Sequence, residues 1–241
     1  MRLPFIHGTI RRRLLVNFRV DPAVMSGLLP GRFSPKLQKG HAIAGICLIR
    51  LEHVRPRHIP RALGINSENA AHRVAVRWAD EAGSPQEGVF ITRRDTGSML
   101  NHLAGGRIFP GEHHHAAFEV RDDASQVDFR MRSDDGEVRI EVRGHAAETL
   151  PKSSCFDSLA EISAFFEVGS VGYSVTASGK RLDGLRLATS RWQVEPLEID
   201  HQFSSYFADP LRFPPGSVEF DCALVMRDIE HEWHKEKDLY L

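Results

Sequence analysis

The chain predicts a mainly β protein of the α+β kind, a mixed and mostly antiparallel sheet that curls or closes, with a few short helices. Two observations carry this. From His113 onward, HHHAAFEV, QVDFRMRS and EVRIEVRGHA alternate apolar and polar residues, and Asp, Ser and Gly turns separate them, with Asp134-Asp135-Gly136 as a strong hairpin signal. Elsewhere helical periodicity is short and rare. With 241 residues, no repeat, no low-complexity segment and no Gly/Ser linker, residues 1–241 are expected to form a single domain large enough for a real core.

Taken in order, LLVNFR (Leu14 to Arg19) reads as a strand. Asp21 then caps a short helix with Pro22 at its first position, where a missing N–H costs nothing, and Pro30-Gly31 ends it. GHAIAGICLIRL (Gly40 to Leu51) is a long β-type run, whereas His53 to Leu63, with two prolines and several basic residues, reads as a loop. NAAHRVAVRW alternates from Arg73, with Val74 and Val76 on one face and Arg73, Ala75 and Arg77 on the other. Glu87 to Arg93 is a further strand, and Ser98 to Ala104 a short helix.

After the meander, Leu159, Ile162, Phe165 and Phe166 are helically spaced. Asp157 or Ser158 is placed to cap them, and Gly169 to close the end. Tyr173 to Val175 and Leu185 to Val194 read as strands around a Gly179 turn, and Glu195-Pro196-Leu197 opens another extended piece. SVEFDCALVM is the final apolar run, and the charged tail RDIEHEWHKEKDLYL is expected to end on the surface.

Composition narrows the function. Apolar residues make up 41% and charged residues 26%, and the net charge is −1, so no strong field invites nucleic acid or an anionic membrane. Arg11-Arg12-Arg13 sits beside LLVNF and is read as flanking a strand. Cys47, Cys155 and Cys222 are widely spaced, without CxxC, and two of them lie in apolar runs, so buried structural thiols are expected. No secretory signal is visible and no apolar run approaches the ~20 residues that span a bilayer. A cytoplasmic protein without a membrane partner follows.

Chemistry concentrates between Gly88 and Phe118, where Arg93, Arg94, Asp95, Asn101, His102, Arg107, His113, His114 and His115 crowd together. Fixed positive charge, imidazole and glycine in one stretch suit a site for an anionic or carbonyl-bearing small molecule. On a strand His113 and His115 would share a face opposite His114, so metal ligation would need a third ligand from elsewhere. Imidazoles lining a pocket as hydrogen-bond or proton-transfer groups are preferred over a metal site, a polar strand end being the plain alternative. Glu68 precedes a strand; it is either a turn cap with Ser67 or a buried carboxylate suited to proton transfer. Arg19, inside an apolar strand, is either a snorkelling edge residue or an anion binder, and Arg73, Arg93 and Arg94 raise the same question. Adjacent Arg93 and Arg94 would face opposite ways, so only one of them is expected in a pocket. No GxSxG, GxGxxG or P-loop pattern occurs.

The opening RRLLVNFRVDPAVMSGLLPGRF, followed by GHAIAGICLIRLEHVRP, SENAAHRVAV, GVFITRRDTGS and AGGRIFPGEHHHA, resembles the DUF2071 family, related in fold to acetoacetate decarboxylase. The resemblance implies a closed or nearly closed mixed β barrel with an enclosed pocket, a fold compatible with a homo-oligomer. In the decarboxylases a lysine after a Phe/Tyr-Pro pair forms an imine with a β-keto acid. Here the matching segment is Phe109-Pro110-Gly111-Glu112, with glycine in the nucleophile's place. Without an amine there is no imine and no electron sink. The same resemblance places Arg19 at a pocket arginine and Glu68 at a pocket glutamate.

The expected site is therefore Glu68, His113 and His115 as proton-moving groups, with Arg19, Arg93, Asn69 and Phe109 holding a small organic acid or carbonyl compound, and no cofactor. Hydration, isomerisation or aldol-type chemistry would fit. The alternatives are a binding or sensing module without turnover and a metal-dependent enzyme built on His113 to His115.

Overall fold

The computed structural model describes residues 6–104, 111–123 and 125–241. Its strands are β1 (Ile6–Val20), β2 (Ser34–Pro35), β3 (Leu37–Gln38), β4 (His41–Pro56), β5 (Ile65–Ala79), β6 (Pro85–Thr96), β7 (His114–Asp122), β8 (Gln126–Ser133), β9 (Arg139–Ala146), β10 (Val171–Val175), β11 (Arg181–Thr189), β12 (Glu195–Ser204), β13 (Val218–Lys235) and β14 (Leu239–Tyr240). The helices are α1 (Pro22–Leu28), α2 (Met99–Ala104) and α3 (Leu159–Glu167).

Strand neighbours run β14-β11-β10-β6-β7-β8-β9-β12-β13-β1-β4-β5-β2, and the further pairings β5–β6 and β11–β13 close the sheet. Two rings result: β6 through β7, β8, β9, β12, β13, β1, β4 and β5, and β6 through β10, β11, β13, β1, β4 and β5. They share the wall β13-β1-β4-β5-β6. Only β6–β7 and β6–β10 are parallel, each over two residue pairs. The mixed, closing sheet that the alternation predicts is the one observed.

A shared wall must be apolar on both faces, and period-two alternation sorts its residues between two cores. Leu14, Val16 and Phe18 of β1 pack in one cluster with Val127 and Phe129 of β8 and Ile140 of β9. Leu15 faces the other cluster, with Cys47 of β4, Leu224 of β13 and Phe165 and Phe166 of α3. Ser158 caps α3 by accepting from the Glu161 N–H, and Glu161 Oε2 accepts from the Asp157 N–H. Asp21 caps α1 by accepting from the N–H groups of Ala23 and Val24.

Three expectations are corrected. The charged tail ends exposed at Tyr240 and Leu241, but its first part belongs to the sheet: β13 continues to Lys235 between β1 and β11, and Ile229 and His231 are buried. Alternating charges, Asp228, Glu230 and Glu232, mask the apolar face of a strand that is solvated on one side. The triple arginine lies inside β1 and not beside it; Arg12 is 2% exposed and its Nη2 donates to Glu68 Oε2 at 2.6 Å. The loop expected from His53 begins later, because β4 runs to Pro56. Cys47, Cys155 and Cys222 are buried and unbridged. No described helix is long and apolar enough to cross a membrane.

Candidate functional site

On the α3 side of the shared wall lies a cavity of about 160 Å³. Its floor is one face of β1, β4, β5 and β6, and it is roofed by Phe166 of α3, Leu185 and Leu187 of β11, Trp192, and Trp233 of β13. Most of the lining is apolar. Three guanidinium groups interrupt it: Arg13, Arg73 and Arg94.

Arg73 is the most enclosed, at 3% exposure. It sits across β4 from Gly45, where a Cβ would fall 2.4 Å from Val16 O and 3.3 Å from Asn17 Oδ1. Only glycine lets β1 and β4 approach this closely, and the approach brings Asn17 within reach. Arg73 Nη2 donates to Asn17 Oδ1 at 2.6 Å, and its guanidinium lies 4.5 Å from the Phe166 ring centre. Its Nε and Nη1 are buried without an acceptor among the described residues. Burial draws its pKa down to about 10, so it is charged at neutral pH.

Arg94 donates from Nε to Ser174 Oγ at 3.2 Å, and burial also draws it down to about 10. Arg13 donates from Nε to Cys47 Sγ at 3.3 Å, while its Nη1 is buried without an acceptor. Among the described residues none of the three faces a carboxylate. By contrast Arg12, Arg19 and Arg93 each have one or more. Buried cations without counterions are costly. Three of them line this one mostly apolar cavity.

His113 also lines the cavity. Its Nδ1 lies 3.3 Å from Gly111 O; a carbonyl only accepts, so Nδ1 carries the proton. Burial, then the Arg94 charge, lower its pKa to about 3. A histidine whose folded pKa lies below its unfolded value costs stability as pH falls from about 6.5 toward 3, because only the unfolded chain takes up the proton. The expected result in an NMR titration is a His113 ring signal that stays at its neutral position down to about pH 5. Replacing Arg94 with Met is expected to move its midpoint upward; a midpoint near 6.5 in the native protein would contradict this environment.

The other residues expected at the site lie elsewhere or take no part in the cavity. Asn69 does line it, with Thr96 Oγ1 donating to its Oδ1 at 2.8 Å. Glu68, its neighbour on β5, faces the opposite core, paired with Arg12. Burial raises its pKa above the usual carboxylate range despite Arg12 and Arg50. Arg19 lies away from the cavity, with Nη1 donating to Ser153 O at 2.9 Å and the carboxylates of Glu219 and Asp221 beside it. His115 pairs with Asp134 at 2.7 Å, and His114 with Asp135 at 3.0 Å. His113 precedes β7, so it does not share a strand face with His115. Phe109 lies outside the described residues. Among those described, no three His, Cys, Asp or Glu side chains gather to hold a metal ion.

Arg93 is displaced by a bulge. His72 pairs with Arg93 but Arg73 pairs with Ile91, which leaves Thr92 as an extra residue in β6. Simple alternation would put Val89, Ile91 and Arg93 on one face. The bulge turns Arg94 into the cavity with Ile91, and sends Arg93 out to Asp95, Asp135 and Glu137. Arg13, Trp192 and Trp233 were not anticipated. Only Trp233 has a sequence signal, the alternation of IEHEWH, which its charged residues obscure.

The architecture is an acetoacetate decarboxylase-like fold. The structure resembles an acetoacetate decarboxylase-like enzyme from Sphingomonas wittichii RW1, with TM-score 0.60 and 11% identity, covering 100% of this chain and 94% of that one. Acetoacetate decarboxylase from Legionella pneumophila gives TM-score 0.58 and 11% identity over 96% and 87%. The enduracididine biosynthesis enzyme MppR complexed with pyruvate gives 0.54 and 10% over 100% and 91%.

The chain belongs to the DUF2071 family, described as uncharacterized conserved proteins, whose profile matches residues 7–218. No curated protein matches the chain.

Gly111 has φ +73°. A Cβ there would meet Ser174 Cβ at 2.6 Å. Both the backbone and the space require glycine. Among the described residues the lining contains no lysine.

Proposed function

We propose that this protein binds a small organic acid, or a carbonyl compound bearing a carboxylate, and does so without forming an imine. The observation that carries this reading is Arg73: among the described residues it is a buried cation with two nitrogens, Nε and Nη1, that lack an acceptor, in a cavity lined by no lysine. A carboxylate in the cavity supplies a charge-assisted acceptor for Nη1, which has none. Neutral His113 beside Arg94 supplies a group able to exchange a proton with a bound acid, so hydration, isomerisation or aldol-type proton transfer suits the cavity. Three unbridged cysteines favour a cytoplasmic setting.

One observation favours a second reading, a binding or sensing module without turnover. Asp95, the carboxylate at the cavity, is held by Arg93 through both oxygens, at 3.1 and 3.2 Å from Nε, and Glu68 faces away. Exchange of the methyl protons of pyruvate in D2O separates the two readings.

The test of the shared claim is thermal unfolding with acetate or pyruvate, followed by borohydride and mass measurement. Both anions are expected to raise the melting temperature, and pyruvate with borohydride to leave the mass unchanged. Arg73→Met is expected to weaken anion binding by about tenfold to a hundredfold, since a hydrogen bond to a charged group contributes roughly 1.5–3 kcal/mol. A reduced pyruvate adduct, or stabilisation untouched by Arg73→Met, would refute the reading.

A further inference from the structure

The carboxylate site accounts for the arginines but not for the walls. Away from Arg73, the lining from β4 and the start of β5 is Ile49, Leu51, Val54 and Ile65, and the facing lining includes Leu187 and Trp192. A two- or three-carbon acid such as acetate or pyruvate would occupy the guanidinium end and leave these surfaces facing water or a void. Interiors do not keep such voids without cost. The cavity measures about 160 Å³, and an apolar cavity of about 150 Å³ takes a benzene molecule. The Phe166 ring, which lies against Arg73, faces the same space.

We infer that the preferred ligand is a monocarboxylate with a compact apolar body of about six carbons, an aromatic or short-chain acid whose carboxylate meets Arg73 and whose body lies between the β4 aliphatic residues and Trp192. This rests on the organic-acid reading above and narrows it. The donors decide the single charge. Arg73 has two buried nitrogens without an acceptor and Arg13 one, whereas Arg94 has none among the described residues. One carboxylate, with two oxygens, can accept from Nη1 of Arg73 and Nη1 of Arg13.

The experiment is titration of the native protein with benzoate, hexanoate, acetate, succinate and benzamide, followed by calorimetry and by tryptophan emission. Trp192 and Trp233 line the cavity, while Trp78 belongs to the opposite core. Benzoate and hexanoate are expected to bind at least about tenfold tighter than acetate, because burial of each added carbon strengthens binding severalfold. Both are expected to perturb tryptophan emission, and benzamide to bind weakly for want of charge.

Equal affinities for benzoate and acetate would overturn the inference while leaving the organic-acid reading intact. So would succinate binding more tightly than hexanoate, which would indicate two anionic ends. Benzamide matching benzoate, or no binding by any anion, would overturn both.

Discussion

Replacing Asn17 with Asp is expected to give a folded protein that has lost its affinity for organic anions. Asn17 is fully buried and is the direct partner of Arg73. As an amide it orients the guanidinium without cancelling its charge. A carboxylate at the same place would stand roughly 5 Å from a bound anion. At an effective dielectric near 20 that repulsion is about 3 kcal/mol, which lowers affinity more than a hundredfold. The substitution also removes the donor from Asn17 Nδ2 to Leu15 O at 3.1 Å, a loss of about 1–3 kcal/mol that the new ion pair with Arg73 offsets. Asn17→Ala serves as the control. It keeps the cavity charge and is expected to stay within about tenfold of native affinity. Calorimetric titration with benzoate measures both. Native-like binding by the Asn17→Asp protein would show that Arg73 is not where the anion sits.

Arg12→Ala is expected to have the largest effect on stability. Arg12 is almost fully enclosed, with Nη2 on Glu68 and Nη1 3.4 Å from Asp122, and its guanidinium lies 5.7 Å from the Phe129 ring. Removing it leaves Glu68 facing the core without its main counterion, which typically costs about 3–5 kcal/mol.

The pH dependence gives the loss a signature. Burial already raises the folded pKa of Glu68 above 4.5 against the pull of Arg12 and Arg50. A carboxyl group with a raised folded pKa favours the folded state below its unfolded pKa and loses that advantage as pH rises through the folded value. Without Arg12 the pKa rises further. The variant is therefore expected to fall short of the native protein by more at pH 8 than at pH 5, where Glu68 takes up a proton. Urea unfolding at the two pH values measures this. A deficit that grows on acidification would mean that Glu68 is not the group left uncompensated.

The sheet was legible in the sequence because alternation is local: β8 and β9 follow it residue by residue, and α3 declares itself by its spacing and its Ser158 cap. The resemblance to DUF2071 was likewise legible from the blocks that carry it. The site was legible only as a neighbourhood. Asn69 and His113 line the cavity, but Glu68 and Arg19 face other partners. Which face of β5 looks into the cavity is decided by which of two cores each face meets, and a single sequence does not order the cores. Arg93 and Arg94 could be separated only by the Thr92 bulge, a property of the β5–β6 register. The closing half of β13 was missed because its outward residues are acidic while its inward ones, Ile229, His231 and Trp233, are few and mixed.

The wall shared by the two rings also bears on how such a chain diverges. Along β5, consecutive residues belong to different chambers: Asn69 and Arg73 to the cavity, Glu68 and His72 to the opposite core. A gain or loss of one codon in this strand would exchange their contents, bringing a carboxylate and an imidazole into the chamber that now holds an amide and a guanidinium. Loss of Thr92, by contrast, would remove the bulge and leave Arg94 beside Ile91 in the cavity. In a lineage built on this wall, a small indel in β5 is a shorter route to new chemistry than point substitution.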